Sequence, residues 1–397
     1  MRRGAWHQFG DKSQRFVIEQ LEQGAGVGVI LSPRDLSWNN AIEYANKYHE
    51  LGAHVLIDLQ FSVPGFSNSK LETYPISQYR TTISRLRQIT DPDLRGFASE
   101  LHRTINELSA DGIVSPAVIY EAGRPDINEL NARLFSVAKR VGNDLGKPTY
   151  ATVILGSSAT SSYQVMNEIL SQATCLDSDG WYYGFEFSRE RIPSSRVEVL
   201  RCCEAGLTLS CTGKPVLHAF AGPKALLSFG FGATGAAIGH AQNVWHFTRG
   251  RWGPPSSQGG GGDAPPRFFS TSLWGTIIYR DETIRLSPSL RNRVLIHSPF
   301  STQVGTNLDW SRWSANKHFV YMICSAVTNI SANNDPRTNA KRAIALLRNA
   351  RRLHSEISGH SLHLGDNTNA YQNNWRLAMD ELLNKRSNDF DYLELLR

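Results

Sequence analysis

Four ionisable side chains stand directly after apolar runs. Asp58 follows residues 54–57, Glu121 follows 117–120, Glu186 follows 181–185 and His218 follows 215–217. A carboxyl group at the end of a buried strand is partly desolvated, and desolvation raises its pKa toward the range of useful proton exchange. Asp58, Glu186 and Glu121 are therefore candidate acid/base or nucleophilic groups, and His218 is a candidate to polarise or orient a substrate. The plainer role for each carboxylate is to accept hydrogen bonds from loop amides or an arginine.

Other polar groups share the same kind of position. Arg34 and Asp35 follow the apolar run 27–31, and Gln60 lies just past Asp58. Ser157 and Ser158 belong to a Gly156-Ser157-Ser158-Ala159-Thr160-Ser161-Ser162 turn, and His240, Gln242, Asn243 and Arg249 follow residues 236–239. If the runs are parallel strands closing a ring, these residues converge on one mouth as a polar, mixed-charge cup suited to a polar substrate. No His-x-His or Cys-x-x-Cys pair anchors a metal site, so none is expected. No P-loop, nucleophile elbow or flavin fingerprint is present, and no cofactor is expected.

The elements that must position these groups are legible as an alternation. Continuous apolar runs at 27–31, 54–60, 117–121, 150–155, 181–187, 215–220 and 236–239 have the character of strands covered on both faces. Amphipathic segments at 37–51, 97–108, 126–145, 163–173 and 194–205 lie between them as helices. The repeat predicts a TIM-type (β/α)8 barrel over residues 26–332, its eighth strand at 275–279 or 293–297. An open dinucleotide-binding sheet would want a glycine-rich turn after the first run, where Ser32-Pro33-Arg34-Asp35 stands instead. Residues 1–25 read as a leading helix, 64–93 as a lid or binding loop, and the Gly/Pro-rich stretch 249–272 as a flexible insertion. Residues 309–329 read as a further helix, and 333–397 as a helical, basic extension.

The chain of 397 residues is 41% hydrophobic, enough for a substantial core, and carries a net charge of +6. The positive charge gathers near the carboxyl end, where Lys341, Arg348 and Arg352 line one helix face with Arg337, Arg342 and Arg351 beside them. That face is either a solvated helix surface or a contact for phosphates. No apolar run is long enough to span a bilayer, so no membrane is expected. Five cysteines without disulfide or metal spacing, Cys175, Cys202, Cys203, Cys211 and Cys324, read as reduced thiols of a cytoplasmic protein.

The stretch Gly230-Phe231-Gly232-Ala233-Thr234-Gly235, the apolar run after it and the loop Thr248-Arg249-Gly250-Arg251-Trp252-Gly253 carry a family likeness. Together they distantly resemble the late-barrel segment of the tRNA-guanine transglycosylase family, in which a Gly-rich helix leads into a strand and then a polar, arginine-bearing loop. The resemblance implies base exchange or N-glycosidic bond chemistry on a nucleic acid. Two departures stand out. Residues 236–245 contain no carboxylate to match the family's seventh-strand aspartate, and Cys324 is the only cysteine beyond Cys211, against a zinc site of clustered cysteines. Within the resemblance the chemistry would pass to Asp58 or Glu186, with Gln60 and Ser157 reading the base edge. The Gly-rich stretch itself is either a phosphate-binding turn or a place of tight packing.

Three functions follow as expectations. The first is a barrel enzyme for a nucleic acid or nucleotide-like substrate. The second is an inactive barrel that binds nucleic acid or serves as a scaffold for protein partners in a larger complex. The third is a lyase or hydrolase of a small polar metabolite.

Overall fold

The apolar runs form a ring. The computed structural model describes residues 1–84, 89–187, 192–241, 244–252, 266–279, 281–302, 310–359, 364 and 370–396. Eight strands make one parallel sheet: β1 (Gly4–Gln8), β2 (Gly28–Leu31), β3 (His54–Ile57), β4 (Ile113–Val114), β5 (Thr149–Leu155), β6 (Gly180–Phe185), β7 (Val216–His218) and β8 (Gly235–Ile238). Their order is β3-β2-β1-β8-β7-β6-β5-β4, so the two edge strands are consecutive in sequence and the sheet curls back on itself. Asp111 ties the seam by donating its N–H to the Val55 carbonyl (2.8 Å) and accepting the Val55 N–H on its carboxylate (2.7 Å), and the Ile119 N–H donates across it to the Ser62 carbonyl (3.4 Å). The result is a nearly closed (β/α)8 barrel.

Alternation along each strand sorts the side chains. Trp6, Ile30, Leu56, Tyr150, Ile154, Tyr182, Leu217 and Ala237 fill the interior. Their neighbours Ala5, Val29, Leu31, Val55, Ile57, Val153, Tyr183, Val216 and Ile238 face the surrounding helices. Those helices include α1 (Ser13–Glu22), α2 (Trp38–Glu50), the short α3 (Tyr79–Ser84), α4 (Asp91–Glu107), α5 (Pro125–Leu145), α6 (Tyr163–Thr174), α7 (Arg196–Ser210) and the single turn α8 (Ala225–Ser228). The start of α4 is set by a capping box in which Thr90 and Asp93 satisfy each other's backbone N–H groups.

The amino terminus departs from the sequence reading. Residues 4–8 are a strand, with the helix only from Ser13, and β1 fills the place between β2 and β8. The expected eighth strands lie elsewhere. Residues 275–278 belong to β10 (Gly275–Ile278), paired antiparallel with β9 (Arg267–Ser270) as a separate hairpin, and residues 293–294 end the helix α9 (Pro288–Val294). Regular pairing of the third expected strand is at 113–114, with Tyr120 making one isolated parallel bridge to Leu155. Of the expected flexible insertion, residues 249–252 form a 3-10 turn and 267–270 form β9, while 253–265 lie outside the described residues.

The helix α10 (Arg312–Ser331) packs along β1 and β8, with Phe319 stacked on Trp245 at 4.3 Å. After it in the chain come α11 (Pro336–Gly359), which packs on the Phe229–Phe231 turn, α12 (Ala370–Lys385), which packs on α7 and α11, and α13 (Ser387–Leu395). The Gly-rich stretch serves their approach. A Cβ on Gly230 would stand 2.6 Å from Met379 and 3.0 Å from the Ala340 Cα, so this glycine lets α11 and α12 close on the barrel. Among the described residues, no helix is long and apolar enough to cross a membrane.

Candidate functional site

The carboxyl ends of the strands form a mouth spanned by the 3-10 turn Arg249–Trp252. Its two arginines point to different depths. Arg249 stays at the rim, with its side chain 44% exposed, whereas Arg251 is sunk to 1%.

Arg249 gathers the rim. Its Nε and Nη2 donate to Glu186 (3.1 and 2.7 Å), its backbone N–H donates to the same carboxylate (3.2 Å), and Nη1 pairs with Glu121. Glu186 also accepts the Ser157 N–H (3.0 Å). Ser158 donates its hydroxyl to Glu121 and accepts the Ala122 N–H (3.1 Å). Burial alone would raise the Glu186 pKa, but the Arg249 guanidinium and the two N–H donors together hold it below the ordinary carboxylate value. Glu186 is therefore an anchored anion, poorly suited to give a proton near neutrality.

Beneath the turn lies a ring of buried groups linked hand to hand. Tyr182 donates to Asp58 (3.0 Å), whose other oxygen accepts the Gln60 N–H (2.8 Å). The Gln60 side-chain amide donates to Ser32 (2.7 Å), Ser32 donates to Asp35 (2.7 Å), and Asp35 pairs with Arg251 at 2.5 Å. The Arg251 guanidinium lies over the Phe220 ring (5.8 Å) and the Trp252 ring (5.5 Å), and the Phe220 N–H donates to Gln8 (3.4 Å), which neighbours Tyr182. Burial raises the Asp58 pKa despite the Gln60 and Tyr182 hydrogen bonds and the nearby Arg251 and Arg80. The same burial lowers that of Arg251, which Asp35 opposes.

Backbone strain marks two ring members. Gln60 and Phe220 sit at φ +57° and +51°, in the left-handed region that bulky residues avoid. Arg80, from α3, holds the first in place by donating to the carbonyls of Leu59, Gln60, Val63 and Phe66 at 2.8–3.1 Å. Buried Lys224 holds the second, donating to the carbonyls of Phe220 (3.4 Å) and Trp245 (2.7 Å) and thereby tying the β7 loop to the β8 loop.

The sequence-predicted residues thus divide. Glu186, Glu121, Ser157, Ser158 and Arg249 meet at the rim, and Asp58, Gln60 and Asp35 meet in the ring. Arg34 flanks the ring, 3.5 Å from Asp35 and stacked over Phe66. His218 joins neither group. Leu217 faces the interior, so His218 faces the helices, stacked on Tyr183 and bonded to Ser228 (2.8 Å). His240 also packs outward, against Phe16 and Trp313, with Ser13 as partner (3.0 Å). Gln242 and Asn243 lie outside the described residues. Sequence reasoning missed Gln8, Ser32, Tyr182, Arg80 and Arg251 as site members. Interior alternation within the run 181–187 is the signal that would have selected Tyr182.

On α11, Lys341, Arg348 and Arg352 are exposed on one face, with no ion-pair partner among the described residues. Arg337 pairs with Asp391, Arg351 bonds Asn373 (2.7 Å), and Arg342 reaches the carbonyls of Asn329 and Ile330 (3.5 Å). Among the described residues, no cluster of three or more His, Cys, Asp or Glu side chains is arranged to hold a metal ion. No protein-family model and no curated protein matches this chain.

Proposed function

We propose that the chain is a barrel enzyme acting on a nucleic acid or nucleotide-like substrate through base exchange or N-glycosidic bond chemistry, with Asp58 as the acid/base or nucleophile. The observation that carries this reading is Asp58 itself: a buried carboxyl with a raised pKa, oriented by a phenol and a strained backbone N–H, at the carboxyl end of a barrel strand. Asp58 fits the role better than Glu186, whose proton is driven off by Arg249. Aromatic walls from Phe220, Phe247 and Trp252 suit a planar base, and the exposed Lys341, Arg348 and Arg352 suit a phosphate backbone. The distant resemblance to the transglycosylase barrels points the same way. Five free cysteines fit a reducing, cytoplasmic setting.

The test is oligonucleotide binding over a salt series, with release of free base as the catalytic readout. Lys341→Ala, Arg348→Ala and Arg352→Ala together are expected to flatten the slope of log K against log salt by about 2–3, at roughly 0.7–0.9 per lost phosphate contact. Asp58→Asn is expected to leave binding intact and abolish base release. An unchanged slope with no base release from any oligonucleotide or nucleoside rejects the reading.

A second reading is favoured by one fact: each mouth carboxylate already has a partner, Arg249 for Glu186 and Glu121, Arg251 for Asp35 and Tyr182 for Asp58. Such saturation suits a barrel that binds nucleic acid without turning it over, as part of a larger complex. Full activity of the intact assembly with Asp58→Asn and Glu186→Gln would select this reading.

A further inference from the structure

The buried ring beneath the Arg249–Trp252 turn is left incomplete in a directional way. Arg251 is 6% exposed as a residue, yet its Nε and Nη1 have no hydrogen-bond partner, and only Nη2 is engaged, by Asp35. Gln8 is 2% exposed. Its Nε2 stands beside the Tyr182 hydroxyl but has no partner at hydrogen-bond geometry, while its oxygen takes the Phe220 N–H. A buried guanidinium with two idle nitrogens is costly, because desolvated donors lose water without replacement. Against these donors the ring offers one idle acceptor, Gln60 Oε1.

Charge points the same way as the donors. Arg251, Arg34 and Arg80 surround the ring, against Asp35 and Asp58. With both carboxylates ionised the inner ring holds one excess positive charge, and protonating Asp58 adds another. At the rim Glu186 and Glu121 share the cation of Arg249, and Arg124 lies near Glu121.

We infer that the ring is a binding site for an anionic oxygen group, a carboxylate or a phosphate, received by Arg251 and Gln8, with a hydrogen-bond donor on the same ligand reaching Gln60 Oε1. Charge-assisted bonds from a desolvated guanidinium to such a group are among the stronger polar contacts available, and they would satisfy the idle donors at once. The depth of the idle donors orients the ligand: its anionic end goes in, toward Arg251 and Gln8, and the rest extends toward the rim. This inference rests on the mouth being the substrate site. It adds that the buried end of that substrate is anionic rather than a neutral base.

The experiment is calorimetric titration of the full chain in a buffer free of carboxylate and phosphate, with inorganic phosphate, acetate, a nucleoside and a nucleoside 5′-monophosphate as separate probes. Two variants accompany it. Arg251→Lys keeps the charge beside Asp35 but removes Nε and Nη1, and Gln8→Glu keeps the acceptor for the Phe220 N–H but replaces the donor with a negative oxygen. Folding of each is checked by its melting transition. The expected result is saturable binding of phosphate or acetate by the unaltered chain, weakened about 10- to 100-fold in either folded variant. Preference between the two anions identifies the source of the group. The inference is overturned if neither anion binds, or if binding is the same in whichever variant folds. Nucleoside binding without anion binding would reject this inference and keep the proposed function. Anion binding with no response to nucleoside, nucleotide or oligonucleotide would do the reverse.

Discussion

Arg249 is the residue on which the two carboxylates of the rim depend. Glu186 is 7% exposed, and the guanidinium offsets much of the cost of keeping it ionised there. Arg249→Ala is expected to lower stability at pH 7 by about 1–3 kcal/mol, the cost of leaving a buried carboxylate with fewer partners. The pH dependence carries the sign. The folded pKa of Glu186 lies below its ordinary value of 4.5, so its stabilising contribution is complete above that value and fades as pH falls through the folded pKa. The gap between Arg249→Ala and the unaltered chain, measured by urea unfolding, should therefore be widest at neutral pH and shrink below about pH 4. A gap that does not change with pH would mean that Arg249 acts by packing alone. The rim carboxylates and serines were readable from the sequence because they directly follow apolar runs, and Arg249 because it belongs to the polar exit after residues 236–239. Arg251 and Tyr182 were harder to find: one sits in a glycine-flanked loop with no periodicity, and the other is a Tyr inside an aromatic run where only the inward parity distinguishes it from Tyr183.

At the scale of elements, β1 explains both what the sequence revealed and what it hid. Six of the seven apolar runs are strands where expected, because a strand covered on both faces needs apolar side chains on both, while the run 117–121 gives only the Tyr120 bridge. Gly4-Ala5-Trp6-His7-Gln8 breaks that pattern: His7 and Gln8 are buried polar residues with local partners, Ala25 for the first and Phe220 for the second. What the strand supplies instead is Trp6, which plugs the interior. Its ring requires absent side chains on both neighbours, since a Cβ on Gly28 would stand 2.5 Å from Trp6 and one on Gly235 would stand 2.8 Å from it. Gly28→Ala is expected to destabilise the barrel by about 1–3 kcal/mol through overpacking, because the His54 carbonyl, 2.8 Å from that Cβ, blocks any shift the other way. Trp6→Leu in the same chain should recover part of the loss, measured as a rise in the melting midpoint of the double variant over the single. No recovery would place the strain in the backbone rather than at the indole.

Taken as a whole, the molecule holds several neutral histidines in separate parts of the fold, and together they set its response to acid. His7, His240, His318 and His354 have their pKa values lowered by burial to about 4, and His218 is driven well below its ordinary value by burial and by Lys224. Their partners are chosen for the neutral ring. The His7 Nε2 donates to the Ala25 carbonyl while Nδ1 stays bare. The His318 Nε2 donates to the Phe269 carbonyl, so its Nδ1 takes the Ser298 hydroxyl as an acceptor (2.8 Å). A proton added to His7 would be buried at Nδ1 without an acceptor, and one added to His318 would force the Ser298 hydroxyl to turn and accept it. The unfolded chain meets no such obstacle and binds protons near the ordinary value of 6.5. Between about pH 6.5 and 4 the unfolded state therefore holds more protons than the native one, and each histidine subtracts about 1.4 kcal/mol per pH unit. Since folded domains have only about 5–15 kcal/mol in hand, these five should make stability fall as the pH drops below about 6.5. Urea unfolding midpoints from pH 8 to 4.5 would show a plateau above 7 and a steep decline beneath 6. His318→Gln, which keeps the donor to Phe269 and removes the titration, should make that decline shallower. A midpoint that holds steady to pH 4.5 would mean that the buried rings accept their protons in place.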